Sequence, residues 1–143
     1  QKNSLILDDS YNASPLSMKA ALDTLKDISA KRKIAVLGDM TEIGKFTLEA
    51  HEEVGKLVAE FVDILVTVGL KGKIIAESAR KAGLNKKNIY EFKDVDEAKK
   101  PIEALIRKGD LILVKASHSI RLNEMVEEIQ ALNEFDLKSV RED

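Results

Sequence analysis

Five times along the chain a short, unbroken apolar run gives way to a segment with helical spacing. The runs are Leu5-Ile6-Leu7, Ile34 to Leu37, Asp63 to Val68, a weaker Asn88-Ile89-Tyr90-Glu91-Phe92, and Leu111 to Val114. Met18, Ala21, Leu22, Leu25 and Ile28 follow the first run at helical intervals, after Ser14 as N-cap and Pro15 at the first helical position. Leu48, His51, Val54, Val58 and Val62 form the second stripe, with Thr47 as its expected cap, and Ile75, Ala79 and Ala82 the third, with Gly83 as its stop. Asp94 and Glu97 have the spacing of a capping box, and Pro101 should kink the fourth helix or mark its true start. Leu122, Met125, Val126, Ile129 and Leu132 make the last stripe.

Strands that are apolar throughout, rather than on alternate residues, belong to a parallel sheet covered on both faces. The expected architecture is therefore α/β: a Rossmann-like three-layer domain with a mostly parallel sheet of about five strands. The 143 residues suffice for one domain with its own core. A net charge of -2 leaves no electrostatic footprint for nucleic acid, and no apolar run is long enough for a membrane span. The absence of cysteine fits a reducing compartment, and two histidines in separate segments argue against a zinc site.

Ligands of open α/β sheets bind outside the carboxyl ends of the strands. Asp8-Asp9-Ser10-Tyr11-Asn12 crowds two carboxylates, a hydroxyl, a phenol and an amide into such a position, more than a polar turn requires. The connection from Gly38 to Thr47 is longer than the usual roughly 2–6 residues of α/β loops. It imitates a phosphate-binding loop, but five residues separate its glycines and Phe46 stands where a magnesium-holding hydroxyl should be. Asp39 and Glu42 would also repel phosphate. Lys115, after the fifth strand, precedes Ser117, His118 and Ser119 at an expected helix start, a combination suited to a carboxylate or phosphate. A solvated lysine beside an ordinary cap explains it equally well. His51 reads as a half-buried histidine hydrogen-bonded to a nearby loop. An acid pair after the first strand and a lysine after the fifth also occur in phospho-acceptor receiver domains. This chain lacks their aspartate at the end of the third strand, which reads Val66-Thr67-Val68-Gly69.

Three stretches together resemble the C-terminal domain of the Mur ligases, of the type that joins D-Ala-D-Ala to UDP-MurNAc-tripeptide. They are Asp8 to Pro15, Val36 to Gly44 with His51 and Val54-Gly55 behind it, and Gly109-Asp110 through Val114-Lys115-Ala116-Ser117. The resemblance covers residues from about 4 to 130 and departs at His118, where the family commonly has arginine. It implies a domain over residues 1–132 with a polar tail at 133–143, and an earlier strand, hairpinned to the first, clipped away. It also implies an N-terminal UDP-binding domain and a central ATPase domain, neither of them in this sequence.

The implied reaction is ATP-dependent. The tripeptide carboxyl becomes an acyl phosphate, the amine of D-Ala-D-Ala attacks it, and phosphate leaves. The resemblance assigns ATP and magnesium mainly to the central domain, with this domain closing over them. Asp9 matches the ribose-binding acid, and Asn12 takes a position near the nucleotide. Ser10, Tyr11, Lys115, Ser117 and His118 match the dipeptide's side. No catalytic or metal residue is expected in this chain alone, and the implied compartment is the bacterial cytoplasm. A stand-alone α/β binding or receiver-like signalling domain is the alternative.

Overall fold

The computed structural model describes residues 5–9 (as backbone), 14–40, 44–116, 121–127 and 129–131. Five strands, β1 (Leu5–Asp9), β2 (Arg32–Gly38), β3 (Ile64–Val68), β4 (Ile89–Phe92) and β5 (Asp110–Lys115), form one sheet in the order β1-β5-β2-β3-β4. All neighbouring strands pair in parallel. The connections are α1 (Pro15–Asp27), α2 (Thr47–Val58), α3 (Gly72–Lys81) and α4 (Val95–Leu105), and residues 123–127 and 129–131 are also helical.

The continuous apolar runs split by parity onto two faces, as the period of a strand requires. Ala35, Leu37, Leu65, Leu111 and Leu113 pack against Met18, Leu22, Leu25, Val54, Val58, Ile75 and Ala79 of α1, α2 and α3. Ile34, Val36, Ile64, Val66, Ile112 and Val114 pack against Val95, Ala98 and Ile102 of α4 and against Leu122, Met125, Val126 and Ile129. The expected three-layer α/β architecture is thus the observed one.

Local chemistry departs from expectation in several places. The Ser14 cap is reciprocated by the Ser17 hydroxyl, with Pro15 first in the helix. Thr47 is not a cap. It is the first residue of α2, and its hydroxyl donates to the Gly44 carbonyl across a 3-10 turn at Gly44–Phe46. Leu48 is 56% exposed rather than buried, and Val62 is buried beyond the helix end. Ala82 is the exposed C-cap of α3, followed by Gly83 at φ +115. Gly83 donates to the Arg80 carbonyl and Leu84 to that of Ala79, a Schellman closure that satisfies two end carbonyls. Pro101 lies inside α4, which starts at Val95. It therefore forfeits one helical donor rather than beginning the helix. Asp94 caps the Glu97 amide as expected, but the Glu97 carboxylate takes the amide of Lys93, one residue before the cap. Leu132 lies outside the described residues.

At the amino end of the sheet Arg32 forks onto the buried Asp110, with Nε donating to Oδ1 at 2.9 Å and Nη2 to Oδ2 at 2.7 Å. Nη2 also donates to the Leu105 carbonyl, and the Arg107 amide completes the carboxylate's shell. Asp110 holds the guanidinium above its ordinary pKa, against the opposing effect of burial. This pair fastens the end of α4 to β2 and β5, far from the carboxyl edge.

Candidate functional site at the carboxyl edge of the sheet

Strand β5 stands between β1 and β2. The chain leaving β1 and β2 enters α1 and α2 on one face, whereas the helical residues after β5 pack on the other. Exits to opposite faces open a crevice at the carboxyl ends, and that crevice is where such folds bind ligands. Asp9, Lys115 and Leu37 stand side by side in register there, with Asp8 beside Val114 and Gly38 beside Val68. The structure therefore brings the three marked stretches to one edge. Ser10, Tyr11, Asn12, Ser117 and His118 lie outside the described residues, and Asp9 is placed by its backbone alone.

Lys115 is the last residue of β5, not a turn residue, and it is 1% exposed. The parity of β5 puts it on the face of Leu111 and Leu113. A solvated lysine is thus excluded. Sequence alone concealed this, because a lysine ending a strand ordinarily snorkels to water.

Asp39, in the long connection, has a structural assignment that the sequence did not reveal. Its Oδ1 accepts the Lys71 amide at 2.9 Å, with the Gly72 amide, which donates to the Gly69 carbonyl, close behind. Lys71 supplies no side-chain cap of its own to α3, so Asp39 caps that helix from across the sheet edge. Gly69, at φ +113, makes room for it: a Cβ there would lie 2.7 Å from Oδ1. Burial pushes the Asp39 carboxyl above its ordinary 3.8, and the amides of Lys71 and Gly72 offset this only in part.

His51 is fully buried rather than half-buried, and both ring nitrogens are engaged. Nε2 accepts the Met40 amide at 3.0 Å, and Nδ1 lies 2.7 Å from the Thr47 carbonyl. A carbonyl partner requires a proton on Nδ1, and an amide partner requires a lone pair on Nε2, so the neutral Nδ1-H tautomer fits both.

Among the described residues the exposed large apolar ones are Leu16, Phe46, Leu48 and Leu70. All four lie at or just before the starts of α1, α2 and α3, on the rim of the same edge. A groove of about 650 Å³ lies elsewhere, between α2 and α3, and its lining includes Leu48, Ile74, Lys56, Lys73 and Lys81 together with Glu52 and Glu77. Among the described residues no three histidine, aspartate or glutamate side chains converge as metal ligands, and no helix is long and apolar enough to cross a membrane.

Residues 1–118 match the family model described as "Mur ligase, glutamate ligase domain". The UDP-N-acetylmuramoyl-tripeptide–D-alanyl-D-alanine ligase of Bacillus subtilis is 36% identical over 126 residues, covering 87% of this chain and 27% of its own length. That of Treponema pallidum is 37% identical over 119 residues, covering 82% and 26%. Among solved structures, the MurF ligase of Thermotoga maritima in complex with ADP superposes with a TM-score of 0.76 at 28% identity, covering 95% of this chain and 30% of that one. MurF from Acinetobacter baumannii gives a TM-score of 0.78 at 28% identity, covering 90% and 29%. The chain thus spans less than a third of the length of these relatives. With the fold, the converging edge and the matched model in agreement, the chain belongs to the Mur ligase family.

Proposed function

We propose that this chain is the C-terminal domain of an ATP-dependent ligase that adds D-Ala-D-Ala to UDP-MurNAc-tripeptide in peptidoglycan precursor synthesis, in the bacterial cytoplasm. The observation that carries the reading is the convergence of the three motif stretches on one switch-point crevice, in a chain whose relatives bear that enzyme's name. The receiver-like alternative is disfavoured by topology. Receiver sheets run 2-1-3-4-5, whereas here the last strand is inserted beside the first.

In this reading the domain spans 1–132 and supplies half a site. Asp9 and Asn12 face the nucleotide, a carboxylate being well suited to accept from two ribose hydroxyls. Ser10, Tyr11, Ser117 and His118 face the dipeptide, and Lys115 lends positive charge from beneath the edge. Magnesium and the phosphates fall mainly to the central domain in this reading, and the chain alone is expected to catalyse nothing. The apolar rim of Leu16, Phe46, Leu48 and Leu70 suits a surface that another domain covers when the site closes and water is excluded.

The test is to rejoin the chain to the preceding domains of the Bacillus subtilis relative and follow phosphate release. Release that requires ATP, the tripeptide precursor and D-Ala-D-Ala together is the expected result. Release with D-glutamate in place of the dipeptide, or none with any acceptor, would contradict the reading.

A further inference from the structure

The start of the connection from β2 to α2 is held by two groups that the proposed reaction does not use. On one side the Asp39 carboxylate is committed to the start of α3. On the other, His51 reaches from the second turn of α2 to the Met40 amide, while its second nitrogen is tied to Thr47 one helical turn back. Met40 itself is fully buried. Its amide follows directly on the Gly38-Asp39 end of β2, beside the crevice flanked by β5. A fully buried imidazole satisfied through both nitrogens has one tautomer and one ring orientation available to it.

We propose that His51 is a positioning residue for the ligand edge: its Nδ1-H tautomer, fixed by Thr47, presents Nε2 to the Met40 amide and so sets the height of the β2 end against β5. The proposal rests on the ligase reading for its consequence and on the chain's own geometry for its mechanism. The two nitrogens can be tested separately, because a glutamine amide reaches about as far as Nε2 and an asparagine amide about as far as Nδ1. His51→Gln keeps an acceptor for Met40. His51→Asn keeps only the donor to Thr47.

In the isolated chain, imidazole nitrogen resonances should show a protonated Nδ1 and an unprotonated Nε2. Hydrogen exchange of the Met40 amide should stay slow in His51→Gln and accelerate about tenfold in His51→Asn, as for one lost buried hydrogen bond. In the rejoined ligase, His51→Asn should raise KM for ATP or D-Ala-D-Ala about tenfold with kcat within about twofold, and His51→Gln should restore it. An Nε2-H tautomer, or equal Met40 exchange in the two variants, overturns the clasp. Equal KM in both variants, or a loss confined to kcat or to melting temperature, overturns the positioning role. If the unsubstituted rejoined enzyme is itself silent, the ligase reading fails while the resonance and exchange measurements still decide the clasp.

Discussion

Asp39 and His51 bracket one short segment of backbone, and their chemistry is opposite. The histidine is satisfied as a neutral ring, whereas the aspartate is a buried carboxyl whose ionisation burial opposes. For Asp39 the consequence is a pH-dependent stability. Its folded pKa is raised, so its favourable contribution is full below the ordinary 3.8 and is lost as pH rises through the raised value. The stability of the native chain relative to Asp39→Asn, read from urea midpoints, should therefore fall as pH climbs from about 3 to about 7. A relative stability that grows with pH would show that the Lys71 and Gly72 amides outweigh desolvation. Neither residue's partners were legible in sequence. Asp39 meets Lys71 only because β2 and β3 are neighbours, and a carboxylate in a polar loop reads as solvated until that adjacency is known. The hydrogen-bonded character of His51 was readable from its place on an apolar stripe, but not its complete burial.

Strands and helices were the most legible level, since β2, β3 and β5 bury apolar residues on both faces and the helices on one. What failed was the detail of ends. Thr47 reads as a cap because hydroxyls usually are, yet a 3-10 turn displaces the helix start by one residue. Leu48 and Ala82 keep helical spacing with their stripes but lie beyond the reach of the sheet, one at a rim and one at a cap. The α2–α3 contact was not foreseen either, although Gly55 marks it. A Cβ at Gly55 would lie 2.5 Å from the Ile75 carbonyl oxygen and 2.6 Å from Ser78 Cβ, and the Ser78 hydroxyl donates to the Glu52 carbonyl at 2.6 Å. Since the obstacle includes backbone, the two helices must separate to admit a methyl group. Gly55→Ala should cost about 1–3 kcal/mol, measured by denaturant unfolding. A loss below about 0.5 kcal/mol would mean that the helices slide freely.

At the scale of the whole molecule, sheet order decides where chemistry can happen. Inserting β5 between β1 and β2 brings Asp9 and Lys115, 106 positions apart in the sequence, side by side at one edge, and the family resemblance marks both stretches. A groove of about 650 Å³ lies away from that edge, between α2 and α3, and with three lysines against Glu52 and Glu77 it is the rival anion site. The discriminating measurement is an amide shift map of the isolated chain titrated with ADP to several times an expected dissociation constant of about 1 mM or weaker. Perturbations are expected at Asp8 and Asp9, Gly38 to Met40, and Lys115 and Ala116. Perturbations centred instead on Lys56, Lys73 and Lys81, or micromolar binding anywhere on the chain, would contradict the assignment of half a ligase site to the carboxyl edge of the sheet.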